Sequence, residues 1–515
     1  MHVFVLNRLW VRALMLPLAF LLAMALPAQA QKDDYAEWLR EQQRDYADFR
    51  NAQDAAFARF LASSWQDVDV RAPSLSPLKD KPVSVPSASG TENTPDSPTP
   101  PVPDGASPAP EPTAPAPDPV VPPEAEPTAP ESAPAKAPAA PEALPQRSTA
   151  SFFGTPVSVA YAAALAPTVD GAPRPEMVQR YWTAIARGPV APFIERIAAD
   201  RDRLALDDWG YYRYLTTLSE TLYPGGTATQ QNAATLWVWA MLVKSGYGAR
   251  VGYNDREVFL MVPSDDRLYD VPQLRIDGQR YYLLNARDRE RLGSLRTYDG
   301  QHPDASGTMR FDLSHMPVLT ARPETRTVSF FYDGTTHSVS LTYNPAVLRY
   351  LDDYPNAELR ILFQAGMSPE AHQALLGELR PLVEGRDEVD AINLLLRFVQ
   401  KAFDYKVDEE SFGEERFLFP EETLQMPASD CEDRAVLFAY LVRHLLDRQT
   451  VALRYPRHVA TGVRLESTPP GDVPGTHVEV EGDTYVMADP TYMDATLGMA
   501  MPFVVGETPE IISIQ

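Results

Sequence analysis

Apolar and polar residues alternate along this chain in two different rhythms, and the rhythms come in a repeated order. Over residues 176–222 the apolar positions Tyr181, Trp182, Ile185, Phe193, Ile197 and Trp209 keep a helical period. After Pro224-Gly225-Gly226, the run 232–244 is apolar nearly all round from Leu236 to Val243, which predicts a helix buried on most sides. Strand-like pieces follow at 249–252, 257–262 and 279–285, separated by Asn254-Asp255 and Asp277-Gly278 turns. Residues 325–332 and 336–343 alternate around Asp333-Gly334, the strongest hairpin signal in the chain. Helices are predicted at 369–382 and 389–402. A polar, aromatic loop then runs to Pro427 and is a candidate wall of a substrate groove. The apolar run after Cys431 and strands around 458–465 and 485–488 complete the pattern.

The helix-then-strands order occurs twice. Ala439-Tyr440-Leu441-Val442-Arg443 set beside Ala240-Met241-Leu242-Val243-Lys244 brings Cys431 opposite Asn232. Asp472-Val473-Pro474 then parallels Asp270-Val271-Pro272, and residues 482–489 parallel 278–285, so that Asp489 stands opposite Asn285. The expected organisation is two copies of one unit, the first with Asn in place of both the thiol and the later carboxylate.

The N-terminal part reads differently. Arg8 and Arg12 precede an apolar run ending near Leu26, and Leu26-Pro27-Ala28-Gln29-Ala30 has the pattern of a signal-peptidase site. A cleaved signal peptide, and hence a periplasmic or secreted protein, is expected. Residues 31–72 read as an amphipathic helical arm, one helix or two, able to dock on the main body or on a protein partner, docking on the body being the more frequent outcome for such a segment. Residues 73–148 are Pro-, Ala- and Glu-rich and cannot offset the entropy of ordering, which predicts a disordered spacer on the order of 70 residues. The remaining boundaries are a degenerate domain at 149–310, a connecting hairpin region at 311–350 and a catalytic domain at 351–515.

Composition narrows the chemistry. A formal net charge of −24 argues against nucleic acid and anionic membrane surfaces as partners. A single cysteine, Cys431, excludes an internal disulfide and a thiolate-rich zinc site; no cofactor and no metal are implied. Ser429 with Glu432 three places on is a capping-box pattern, which places Cys431 in the first turn of a helix, where the dipole favours a thiolate. Asp430, Glu432 and Asp433 oppose that, so activation requires a histidine. Of eight histidines, His458 and His477 each open a strand, and Asp489 ends one. Helix-start Cys, strand His and strand-end Asp form the constellation of papain-like acyl transfer.

The motifs Asp430-Cys431-Glu432-Asp433-Arg434-Ala435, Tyr455-Pro456-Arg457-His458, Ala488-Asp489-Pro490-Thr491-Tyr492 and Gly498-Met499-Ala500-Met501-Pro502 resemble bacterial transglutaminase-like proteins, a branch of the papain-like superfamily. The resemblance covers about residues 402–502, with weaker likeness back to Phe152. It implies an α+β fold with a Cys-bearing helix packed on antiparallel strands, and a triad of Cys431, His458 and Asp489. In members with a different pattern the histidine falls on His477, but those usually carry Trp two places later, where this chain has Glu479. The implied activity is a thiol acyl-enzyme hydrolase acting on peptide or isopeptide bonds of an envelope or extracellular substrate. Transfer of the acyl group to an amine, and a non-catalytic peptide-binding scaffold, are the alternatives.

Overall fold

The computed structural model of the chain describes residues 28–74, 85–88, 146–286 and 293–514. Nearly all of the expected signal peptide and most of the expected linker lie outside the described residues. The architecture is α+β, and its two larger sheets are antiparallel throughout.

The chain enters as one helix, α1 (Ala28–Leu61). Its far end is no free arm. Phe57 and Leu61 are buried, Phe57 meets Trp182 edge-on at 4.9 Å, and Asp54 pairs with Lys244 and His302. The strand β1 (Trp65–Asp69) then joins the first sheet. Segment 31–72 is thus attached to the body, because its apolar residues have a core to enter there. Trp38 and Phe49, earlier on α1, stay exposed.

Strands β2 (Gln146–Phe152) and β3 (Thr155–Tyr161) form a hairpin beginning inside the expected linker. The long helical run that follows divides into α2 (Pro175–Arg187), α3 (Val190–Arg203) and α4 (Asp208–Leu222). Gly188-Pro189 ends the first helix, and Ala205 at φ 50° ends the turn after the second. Helix α5 (Ala228–Lys244) opens with a Thr227–Gln230 capping box and is the predicted buried helix, one turn longer at its start. Behind it come β4 (Arg250–Tyr253), β5 (Val258–Pro263), β6 (Gln273–Ile276), β7 (Gln279–Leu283) and β8 (Ser294–Tyr298) in the order β1-β8-β4-β5-β7-β6.

The predicted hairpin is β9 (Glu324–Tyr332) with β10 (Thr335–Tyr343), turned by Asp333 and Gly334, both at positive φ. Helix α6 (Pro345–Asp353) is tied to α4, since the Asp207 cap accepts the hydroxyls of Tyr350 at 2.5 Å and Tyr354 at 2.8 Å. After α7 (Leu359–Gln364), α8 (Pro369–Val383) and α9 (Glu388–Ala402) pack on the hairpin through Val328, Phe330, Val339 and Leu341. The loop expected to reach the thiol contains β11 (Asp404–Tyr405), α10 (Asp408–Ser411), α11 (Pro420–Gln425) and β12 (Ala428–Ser429). Helix α12 (Cys431–Leu446) then lies on a second sheet of β13 (Thr450–Tyr455), β14 (His458–Arg464), β15 (His477–Val480), β16 (Asp483–Ala488) and β17 (Glu510–Ser513), ordered β15-β16-β14-β13-β17.

One continuous apolar cluster runs from Phe57 and Trp182 through Tyr350 and Phe363 to Ala435, Ala439 and Val459, so the two halves share a core. Because Phe57 closes that core from α1, Phe57→Ala is expected to cost about 3–5 kcal/mol, seen as a lower urea midpoint with one cooperative transition. Independent loss of the α1 signal would show that α1 is not part of the core.

Candidate functional site

The two sheets repeat one topology. Read from β8 or β17 inward, the orders β8-β4-β5-β7-β6 and β17-β13-β14-β16-β15 match strand for strand. Asp277-Gly278 and Glu481-Gly482 are two-residue turns with both φ values positive, as the twist of a tight hairpin demands. Tyr253 pairs with Val258 and Arg454 with Val459, so each hairpin spans an equal number of residues. Val262 then pairs with Tyr282 as Val463 pairs with Val486. This register sets Glu257 in the place of His458, a match that motif spacing did not disclose.

Around Cys431 the chain is held tightly. Strand β12 pairs parallel with β11, joining Tyr405 to Ser429 immediately before the helix. The residue that caps α12 is Asp430, and its N–H donates to Asp433 Oδ2 at 3.3 Å. Ser429 was expected there, but it is fixed in β12 and its hydroxyl takes Arg434 Nε at 3.3 Å. Cys431 is therefore the first helical residue, 0 % exposed, and its thiol donates to Glu432 Oε2 at 3.1 Å. Tyr405 lies close enough that burial, helped by the charges of Cys431, Asp430 and Glu432, pushes its phenol far above the usual range.

Arg434, one turn into the helix, is fully buried. It donates to the Phe403 carbonyl at 2.7 Å, reaches Met493 Sδ at 3.7 Å, and lies over the Tyr405 ring. Burial pushes the guanidinium down to about 10, against the pull of Tyr405, Asp430 and Asp433. Asp408, Asp430 and Glu432 bring carboxylate oxygens within 4.8 Å of one another, all buried. Oxygen donors of this kind suit a hard cation, and carboxylates packed so closely cannot all be ionised without positive charge or shared protons.

His458 and Asp489 meet, both 0 % exposed, with Nε2 at 2.9 Å from Oδ2. The other carboxylate oxygen accepts the N–H groups of Thr491 and Tyr492, each at 3.1 Å. Gln400, also fully buried, holds the loop by donating to the carbonyls of Tyr492 and Ala495. His458 Nδ1 is buried with no hydrogen-bond partner. The ring is covered edge-on by Phe503, centroids 5.7 Å apart. His477 is exposed on β15, the edge strand, opposite Val486.

Cys431 opens the helix that packs on β14, and His458 opens that strand. Helix α12 packs on β14 and enters both larger apolar clusters, Ala435, Val436 and Ala439 in the one that holds Val459, and Leu437, Phe438 and Leu441 in the one that holds Val463 and Leu465. Thr461 Oγ1 donates to the Ala435 carbonyl at 3.3 Å. Alternation sends Val459, Thr461 and Val463 to the helix and sets His458 out of phase with them. In the first unit Asn232 accepts the Val258 N–H at 2.8 Å and donates to the Arg256 carbonyl at 3.0 Å. The residue in the place of Cys431 thus straddles the residue in the place of His458. Asn285, in the place of Asp489, donates to the Val258 carbonyl at 3.0 Å.

Beside this site, Met493 pairs with the chain's own segment 85–88. Ala88 N–H donates to the Met493 carbonyl at 2.8 Å, Met493 N–H to the Pro86 carbonyl at 3.2 Å, and Ser87 to Asp494 at 2.8 Å. Close behind, Gly498 accepts the Thr476 N–H at 2.8 Å, and a Cβ at Gly475, φ 127°, would strike that carbonyl.

No family model, curated protein or solved structure matches this chain.

Removing the buried guanidinium while leaving its acids should be severe: Arg434→Met is expected to lose about 3–5 kcal/mol in chemical denaturation, and a change under about 1 kcal/mol would show the network to be dispensable. Glu422 gives a pH test. Burial raises its carboxyl to about 7, opposed by Arg416 and the Phe419 N–H. The folded state then holds a proton that the unfolded chain has released, so this contribution is present below about pH 4.5 and is lost as pH rises through about 7. Glu422→Gln should accordingly gain about 1–3 kcal/mol on the parent between those pH values, and parallel stability curves would contradict the assignment.

Proposed function

We propose that the chain is an exported, transglutaminase-like cysteine hydrolase that cleaves peptide or isopeptide bonds through a thioester on Cys431. The observation that carries this reading is the buried His458–Asp489 pair with Nδ1 left unbonded. Asp489 holds one nitrogen and fixes the ring, which leaves the other nitrogen as the proton acceptor. The repeat supports the partner: the first unit's Asn232 touches both neighbours of Glu257, so its counterpart Cys431 is the group expected beside His458. A papain-like core is the fold this helix-and-sheet order would represent.

In the proposed reaction the Cys431 proton passes to His458 Nδ1 as sulfur bonds to the substrate carbonyl carbon. The C–N bond breaks and the amine leaves with that proton; water then attacks the thioester carbon, giving a proton to His458, the C–S bond breaks to release the acid, and the proton returns from His458 to Cys431. The Cys431 N–H stands at the first position of α12, at the positive end of the helix dipole, and is the oxyanion donor in this reading. Pairing of Met493 with residues 86–88 supports an extended peptide as substrate, since one such segment already hydrogen-bonds there. Both Cys431 and His458 are inaccessible, so a substrate must displace the segment carrying Phe503, and the thiol must leave Glu432.

That burial is also what favours the alternative, a peptide-binding scaffold without catalysis. Iodoacetamide labelling of Cys431, with peptide-library turnover alongside, separates the two. A hydrolase should label faster than a free-thiol control near neutral pH. His458→Ala should lower labelling and turnover by about 10²-fold or more, and Asp489→Asn should lower both, whereas His477→Ala should leave both unchanged. Loss caused only by His477→Ala would transfer the role to that residue. Slow labelling together with absent turnover would leave the scaffold.

A further inference from the structure

The residues of the first unit that stand in for Cys431, His458 and Asp489 do not close on one another. Asn232, Glu257 and Asn285 all line one cavity of about 300 Å³ between α4, the start of α5 and β5. This is the small end of the range for ligand pockets, enough for one side chain with its immediate surroundings. Its floor includes Val238, Phe259 and Leu260, all buried apolar residues. Glu220 and Glu257 also line it, both exposed, and among the described residues no Lys, Arg or His does. Among the described residues neither carboxylate is joined to a cation.

The helix start does not offset this charge. The Gln230 N–H donates to Thr227 Oγ1 and the Gln231 N–H to the Thr227 carbonyl, so the first turn of α5 presents few free donors to an anion. An apolar floor with acids around it, and no positive side chain, selects an aliphatic stem ending in a positive charge.

We propose that this cavity binds an alkylammonium group, as carried by a peptide lysine side chain or by a free diamine. The loss of nucleophile and base from the first unit leaves a recognition pocket where the second unit has its reacting groups. The assignment does not depend on turnover at Cys431.

The test is calorimetric titration of the full chain with three probes: an end-blocked Ala-Lys-Ala peptide, its norleucine analogue, and cadaverine. The lysyl peptide should bind at least tenfold more tightly than the norleucine peptide and weaken with added salt. Glu220→Gln and Glu257→Gln should each weaken it three- to tenfold. Both positions are exposed, so folding should persist, as circular dichroism would verify, and Cys431 labelling should not change. Tighter binding of the peptide than of cadaverine identifies a peptide lysine as the ligand; the reverse identifies a free amine. Equal affinity for lysyl and norleucine peptides, no heat with either amine at about 1 mM, or affinities untouched by both substitutions would overturn the proposal.

Discussion

A buried guanidinium sets the terms for everything at the start of α12. Arg434 has no water to solvate it, so its donors must find protein acceptors, and they find the Ser429 hydroxyl, the Phe403 carbonyl and Met493 sulfur. Each lies on a different segment: the strand before the helix, the end of α9, and the loop after β16. One desolvated cation thereby draws together the pieces that position Cys431 and the Asp489 loop. The acids around the thiol follow from the same constraint, because a buried positive charge without neighbouring carboxylates would be costlier still. The site is a buried cluster in which acids outnumber the one guanidinium, and the thiol sits among them.

The first unit places different side chains on the same strand order. Asn232, Glu257 and Asn285 occupy the same positions on the same topology, but amides satisfy their own hydrogen bonds to Val258 and Arg256 and need no buried cation. The first unit therefore keeps the backbone arrangement without its electrostatic cost, and its cleft stays open. The second keeps the ionisable set and is closed over by Phe503. Both rest on one continuous core, so neither is free to shift without the other.

Much of this was legible in the residues. Asp333-Gly334 announced its hairpin because only a few residue pairs tolerate two positive φ angles. Cys431 was placed at a helix start by the polar-to-apolar switch around it, and Asp489 at a strand end by the Asp-Pro that follows. The cap was misplaced by one residue because Ser429 and Asp430 are both good caps, and the choice is made by the β11–β12 pairing, a long-range contact. Strands β1, β6 and β8 were missed for a related reason: they are short, and β1 and β8 gain their place by pairing with each other across more than half of the described first unit. Asp408 carried no signal at all, since an acid in an acidic loop looks like solvated surface until the fold buries it. Glu257 could be matched to His458 only through hairpin register.

The docking of residues 86–88 against Met493 gives the N-terminal part of the chain a second grip. β1 pairs with β8 and Phe57 enters the shared core, while Ala88 is pinned to the second unit. Both halves are thus held by residues that precede them in sequence. A single backbone cut between Ala88 and Gln146 would leave two polypeptides in one folded protein, because α1, β1 and the Pro86–Ala88 contact would still grip the larger piece as a complementing fragment.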